Sequence, residues 1–212
     1  MIGDANQPKG ETTMDAITAI EQRRSVKHYD PAHRMSDEEA RRLLSLAMLS
    51  PTAINIQNWR FVVVRDPLLR RKLREAAWDQ AQVTEASAWI VLCADLKAWR
   101  RDPARYWRTA PPEVGEAMVQ MMSIWDGKPQ AERDEAMRSC GMAAQTIMIA
   151  AKAMGYDTCP MTGFDFDAVA KLINLPADHV ICMAVAVGKA AKPARPRGGQ
   201  LPFEEVVRFD RF

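Results

Sequence analysis

Three cations and a hydroxyl stand within five residues at Arg23-Arg24-Ser25-Val26-Lys27. Such a set can hold a phosphate monoester through charge-assisted bonds, and arginine can do so bidentately. Cations at a helix end also complement the helix dipole, so taken alone the segment reads more simply as a charged, solvated terminus. Three further polar islands follow. Ser50 to Trp59 offers Thr52, Asn55 and Gln57 to a heterocycle edge, and its small residues permit close backbone approach. Cys159 to Asp165 is expected to be a loop with proline and glycine, and Arg195-Pro196-Arg197 lies in a tail too rich in proline for a helix. Loops anchored by rigid elements are frequent carriers of function.

Several standard chemistries have no support. There is no G-x-G-x-x-G turn after a strand, no G-x-x-x-x-G-K-[ST] loop and no G-x-S-x-G elbow. His28, His33 and His179 lack H-E-x-x-H spacing, and no metal site is expected. Cys93, Cys140, Cys159 and Cys182 form no C-x-x-C pair or zinc-ligand set. Cys93 and Cys182 sit in apolar runs as small hydrophobes, and free thiols fit a reducing compartment such as the cytoplasm.

A net charge of +2 is too small to point to nucleic acid or a membrane surface. No run approaches the roughly 18 apolar residues needed to span a bilayer. Residues 1–12 are polar, lack a signal-peptide core and are expected to form a disordered tail.

The elements that must position the islands follow from pattern. A first helix is expected from about Met14 to Arg24, with Ile17 and Ile20 on its apolar side and Arg23 and Arg24 in its last turn. Ser36 and Glu39 form a capping box before the stripe Ala40, Leu43, Leu44, Ala47, and Ser50-Pro51 ends that helix. Residues 61–64 and 89–94 read as buried strands, with a helix opening at Asp66-Pro67 between them. Residues 95–130, rich in Trp, Arg, Pro and Met, read as a helical excursion or lid.

A long helix is expected over 131–154, stopped by Gly155. From Met142 onward it is apolar nearly all round, which calls for cover on several sides, including from a partner subunit. A short extended piece at 156–159, a helix after Asp165 with Val169, Leu172 and Ile173 inward, and a strand at 180–187 complete the pattern. Few strands, many helices and no strict β-α-β alternation predict an α+β layer fold.

The four islands, in this order, resemble the nitroreductase family of FMN enzymes. That family carries an R-R-S-x-R/K segment at the end of its first helix and an S-P-S-S-x-N-x-Q-P-W loop after its second. Trp78-Asp79-Gln80-Ala81-Gln82-Val83, Gly155-Tyr156-Asp157 leading to Pro160-Met161-Thr162-Gly163, and the late basic pair extend the resemblance over residues 14–212. It implies a single FMN-binding domain over 13–212, with 95–130 as variable lid. The fold would be a mainly antiparallel central sheet flanked by helices, in an intertwined homodimer.

The resemblance also implies roles. Arg23, Ser25 and Lys27, with Arg195 and Arg197, would hold the FMN phosphate and ribityl chain; Arg24 would contribute through backbone or side chain. Pro51, Thr52, Ala53 and Asn55 would reach the flavin from the opposite subunit. Asp79 and Gln82 would bond the pyrimidine edge, and Pro160, Met161, Thr162 and Gly163 would lie along the ring with an N–H near N5. This chain departs from the pattern at Ala53, Asn58, Thr162 and Gln82; the missing cation at 82 bears on the redox potential rather than on the cofactor.

NAD(P)H would give a hydride to flavin N5, and an electron-poor nitroaromatic or quinone would then take its place in a ping-pong cycle. No catalytic side chain is required. Trp99, Trp107 or Trp125 could stack on an aromatic substrate, or could pack the lid's own small core. Competing readings are a same-fold reductive dehalogenase, enone reductase or flavin-breakdown enzyme, a flavin-binding protein without useful turnover, and a flavin-free protein whose basic islands bind an acidic partner or nucleic acid.

Overall fold

A computed structural model describes residues 14–212; the expected tail at 1–12 lies outside the described residues. Helix α1 (Ala16–Gln22) starts where the Asp15 carboxylate accepts the N–H groups of Ile17 and Thr18. It is shorter than expected. Arg23 is already extended (φ −59°, ψ 130°), so Arg23 and Arg24 leave the helix rather than fill its last turn. Ile17 and Ile20 are 70% and 51% exposed, and the buried residue of α1 is Ala19. The apolar side assigned from the pattern is therefore uncovered within the protomer.

Helix α2 (Asp37–Ala47) begins with both halves of the capping box in place: Ser36 Oγ accepts from Glu39 N–H, and Glu39 accepts from Ser36 N–H. It stops at Ala47, before Ser50-Pro51 is reached. Strand β1 (Trp59–Val64) is followed by α3 (Pro67–Ala76), with Asp66 as its N-cap, then α4 (Gln82–Glu85) and β2 (Ala88–Asp95). The excursion holds α5 (Ala98–Arg101), α6 (Pro112–Met121) and single 3₁₀ turns at Pro103–Tyr106 and Met122–Trp125. Helix α7 (Pro129–Ala153) ends against Gly155, whose φ of +75° suits glycine. Strand β3 (Asp157–Met161), helix α8 (Phe166–Leu172) capped by Asp165, strand β4 (His179–Gly188) and the one-turn α9 (Phe203–Val206) complete the chain.

The four strands form one antiparallel sheet in the order β1-β2-β4-β3. Strand side chains alternate between faces, and the core divides accordingly. Ile90, Leu92, Val185 and Val187 face the layer containing α2 and α7. Trp89, Val91, Ala184 and Ala186 face a second cluster that includes Val26, Leu73 and Val169. All eight residues of β2 are buried, as a central strand covered on both faces requires.

The basic segment is stitched to this sheet. Ser25 makes a parallel bridge with Thr158, and Val26 N–H donates to Thr158 O at 3.0 Å. Tyr29 bridges Ala190. At Gly188 an added Cβ would stand 2.9 Å from both Ser87 N and Tyr29 Cδ1, so only glycine lets β4 pass there.

Candidate functional site

The two basic islands meet. Arg23, Arg24 and Ser25 line one cavity of about 330 Å³ together with Arg195, Arg197 and the glycines that follow. Arg197 Nη2 donates to the carbonyls of Glu21 (2.8 Å) and Arg23 (3.2 Å), satisfying acceptors left over at the end of α1. Arg24 Nη2 donates to the carbonyl of Arg195. Arg23 Nη1 is buried without a hydrogen-bond partner, as is Thr158 Oγ1. A buried unpaired donor on a cation is costly, and a phosphate oxygen in this cavity is the acceptor its chemistry calls for. The residues present therefore fit the phosphate end of a flavin mononucleotide.

From this cavity the basic segment runs along β3. Lys27 Nζ lies 3.3 Å from Cys159 Sγ, which places the lysine beside the start of Pro160-Met161. Those two residues and Cys159 belong to β3; the loop expected from Cys159 onward begins only at Thr162. Pro160 is tolerated because β3 is an edge strand. Met161 is 4% exposed, and its sulfur accepts from Trp89 Nε1 at 3.4 Å, so it offers the site only its main chain.

The 78–82 turn joins the same region. Gln80 Nε2 donates to Gly163 O at 2.6 Å, and Asp165 N–H donates to Ala76 O at 2.9 Å. A Cβ on Gly163 would lie 3.3 Å from the Trp78 ring, so the 160–163 segment passes close under that indole. Asp79 accepts from Arg74 Nε at 2.6 Å, and Gln82, 4% exposed, donates to Gln80 Oε1 at 3.0 Å. Trp78 and Asp79 both hold left-handed backbone (φ 52° and 58°). Such strain costs on the order of 1–3 kcal/mol per residue and gathers where function demands it.

The loop carrying Pro51, Thr52, Ala53 and Asn55 is elsewhere. Ala53 N–H donates to Glu135 Oε1 (3.2 Å), Ser50 Oγ to Thr146 Oγ1 (2.9 Å) and Asn55 Nδ2 to Tyr106 O (2.9 Å), which ties the loop to α7 and to the excursion. Ile54, Asn55 and Gln57 are all left-handed, at φ 50°, 55° and 41°. For the β-branched Ile54 that is a genuine outlier. No hydrogen bond joins this loop to 23–27, 78–82, 160–163 or 195–197 among the described residues. One protomer thus brings together every predicted segment except this one.

The tryptophans of the excursion divide. Trp99 and Trp125 are 8% and 4% exposed and pack with Met122 and Ile56. Trp99 Nε1 donates to Glu132 Oε1 at 2.9 Å. The structure thus gives these two rings to internal packing, which displaces their reading as substrate-stacking groups. Trp107 packs on the margin of the same cluster, and its Nε1 is buried without a partner.

Three residues shape the site without having been singled out from sequence. Gln80 and Arg74 fix the 78–82 turn, and Glu135 fixes the 51–55 loop. Glu135 stands in the charged first half of α7, among Glu132, Arg133, Asp134 and Arg138, so no sequence signal set it apart. The four cysteines are free. Burial pushes the Cys93 thiol up to about 12, and hydrogen bonding to Cys182, then burial, raises that of Cys140, so both stay protonated. Asp95, Asp178 and His179 bring possible metal ligands within 4.8 Å of one another, but Arg60 and Arg101 each approach Asp95 to 3.3 Å and already balance its charge. Among the described residues no helix is long and apolar enough to cross a membrane.

The fold is a layered α+β sheet with a basic cavity at one edge, and comparison with known proteins specifies the class. The chain belongs to the Nitroreductase family, whose model matches residues 20–189. It is 56% identical over 200 residues to Protein DrgA of Synechocystis sp., covering 92% of this chain and 95% of that one. It is 34% identical to YodC of Bacillus subtilis, named as an NAD(P)H nitroreductase, over 92% of this chain and 96% of the relative. A protein from Exiguobacterium sibiricum, described as a nitroreductase and solved in complex with FMN, superposes with a TM-score of 0.86 at 29% identity, over 94% of this chain and 99% of that one.

Proposed function

We propose that this chain is a homodimeric, FMN-dependent NAD(P)H oxidoreductase acting on electron-poor acceptors such as nitroaromatics and quinones, in the cytoplasm. The observation that carries the reading is Arg23, whose Nη1 is buried without a partner and which lines a cavity shared with Arg195 and Arg197. The FMN bound by the Exiguobacterium protein and the nicotinamide donors in relatives' names point the same way. Four free cysteines accord with a reducing compartment.

Bound FMN would supply the redox chemistry, taking a hydride from NAD(P)H and passing it to the acceptor. The chain's own residues bind and orient. Arg23, Ser25, Arg195 and Arg197, helped by Arg24, hold the phosphate; Lys27 stands at the ribityl and ring junction. Asp79 and Gln82 face the pyrimidine edge, pinned by Arg74 and Gln80. Pro160 to Gly163 lie along the ring and present main-chain N–H groups. No side chain is assigned a proton-transfer role.

A dimer completes the site in this reading. Pro51, Thr52, Ala53 and Asn55 are held on the α7 side and reach a partner's flavin rather than their own. Leu46, Leu49, Pro51, Ile149 and Ala150 line an apolar groove of about 340 Å³, and Ile17 and Ile20 add uncovered apolar surface nearby on the α1 helix that packs on α7. Residues 95–130 act as the variable lid of one domain spanning 13–212.

The purified protein should be yellow, and NAD(P)H should bleach it until a nitroaromatic or quinone restores the colour. Colourless protein unable to take up added FMN would sink the reading.

A further inference from the structure

A second, larger basic cavity lies against α3, sharing Asp79 with the 78–82 turn. It measures about 560 Å³, within the range of small-molecule pockets, and its lining includes Arg34, Arg65, Arg70, Arg71 and Arg74. The spacing explains the grouping. Residues 70, 71 and 74 fall on one face of α3, while Arg34 and Met35 come from the turn before α2.

The chain neutralises this charge only in part, since Glu75 and Asp79 line the same cavity against five arginines. Arg65 pairs with Asp37 and Arg74 with Asp79, but Arg34, Arg70 and Arg71 form no ion pair among the described residues. Arg70 is only 5% exposed. Its Nε and Nη2 are anchored on the carbonyls of Val83 (2.8 Å) and Ala86 (2.5 Å), which leaves Nη1 uncommitted. Burial first, then the neighbouring Arg34, lowers its pKa to about 10, so it remains a cation at neutral pH. Arg65 Nε is also buried without a partner.

A surface patch of arginines needs no ligand, because water solvates each one. A buried guanidinium is different: Arg70 has carbonyl partners for two of its nitrogens but no ion pair, although Glu75 and Asp79 line the same cavity, so its charge is left unpaired within the chain. Guanidinium forks match phosphate oxygens, and several converging cations favour the dianionic monoester over a diester. Met35 and Pro67 add apolar wall against which a sugar can pack.

We propose that this pocket is a second phosphate site, binding a ribose phosphomonoester through Arg34, Arg70 and Arg71. Two sources share that chemistry. One is the 2′-phosphate of NADPH, which rests on the oxidoreductase reading, in which Asp79, a lining residue of this pocket, also belongs to the turn assigned to the flavin. The other is a free nucleotide monophosphate.

The test titrates adenosine 2′,5′-bisphosphate into the flavin-loaded protein by calorimetry, with adenosine as control, for wild type and for Arg34→Ala/Arg71→Ala. Both substituted residues are exposed, so folding is not at stake. The bisphosphate is expected to bind where adenosine does not, and at least tenfold more weakly in the double variant. A matching tenfold fall in the ratio of kcat/KM for NADPH over NADH identifies the reductant as the source. Weakened binding with an unchanged ratio supports the site and assigns it to a free nucleotide. Absent binding, or equal binding by wild type and variant, overturns it. Because the titration does not depend on turnover, an inactive but competent binder would fault the oxidoreductase reading alone.

Discussion

Arg197 reaches back 174 residues to donate its Nη2 hydrogens to the carbonyl of Arg23 at 3.2 Å, and to that of Glu21 at 2.8 Å. Arg197 thus closes the end of the first helix and fixes the main chain from which the Arg23 side chain projects. The basic cavity proposed to hold the phosphate exists only because these two distant segments are tied.

Substituting Arg197 by alanine should weaken FMN binding by on the order of ten- to a hundredfold, equivalent to about 1.5–3 kcal/mol for a charge-assisted bond. The Arg23→Ala/Arg197→Ala protein should be isolated free of flavin. Fluorescence titration of FMN measures both, and unchanged occupancy in the double variant would refute the phosphate assignment.

Dimerisation and flavin retention should fail together. Leu49 is 71% exposed beside the 51–55 loop, and Leu49→Glu should shift the protein to monomer on light-scattering chromatography. A monomeric variant that kept its flavin would show that the loop does not serve a partner's site.

Gly188→Ala should be destabilising without touching the flavin pocket. The added methyl meets main-chain Ser87 N and the Tyr29 ring at 2.9 Å, and overpacking of this kind costs about 1–3 kcal/mol. For a chain this size that is roughly 2–4 °C of Tm per kcal/mol. An unshifted melt would mean that β4 relaxes freely there.

Tyr156 and Glu39 give a pH-dependent case. The Glu39 carboxyl is held below the usual carboxylate range, first by Ser36 N–H and then by the Tyr156 hydroxyl at 2.7 Å. A depressed carboxylate contributes stability that is present above its unfolded-state pKa and lost as pH falls through the folded one. Tyr156→Phe should therefore cost about 1 kcal/mol at neutral pH and progressively less in acid. A penalty independent of pH would point to packing instead of the hydrogen bond.

What was legible in the sequence was local. The Ser36–Glu39 box, the Asp66-Pro67 helix start and the Gly155 stop each depend on residues a few positions apart, and each stands where it was expected. The end of α1 was misplaced because Ser25 is drawn off by a bridge to Thr158, a partner far along the chain. Ile17 and Ile20 have the right period for an apolar face, but period does not say whether that face is covered by the same chain or by another. Trp99 and Trp125 carry no local mark separating a packed ring from an offered one. Their neighbours Ile56 and Glu132 decided it. Gln80 was passed over because its role lies in a carbonyl 83 residues away.

The position of residues 195–200 in the chain also fixes a temporal order. The sheet is complete at Gly188, yet the phosphate cavity lacks a wall until the segment beyond it has been synthesised and has folded back. In the proposed reading, cofactor uptake therefore has to follow synthesis of residues 195–200. If the proposed phosphate site is right, a protease that clipped after Gly188 would leave a folded sheet unable to retain its pigment, so colour would report on the integrity of residues 195–200.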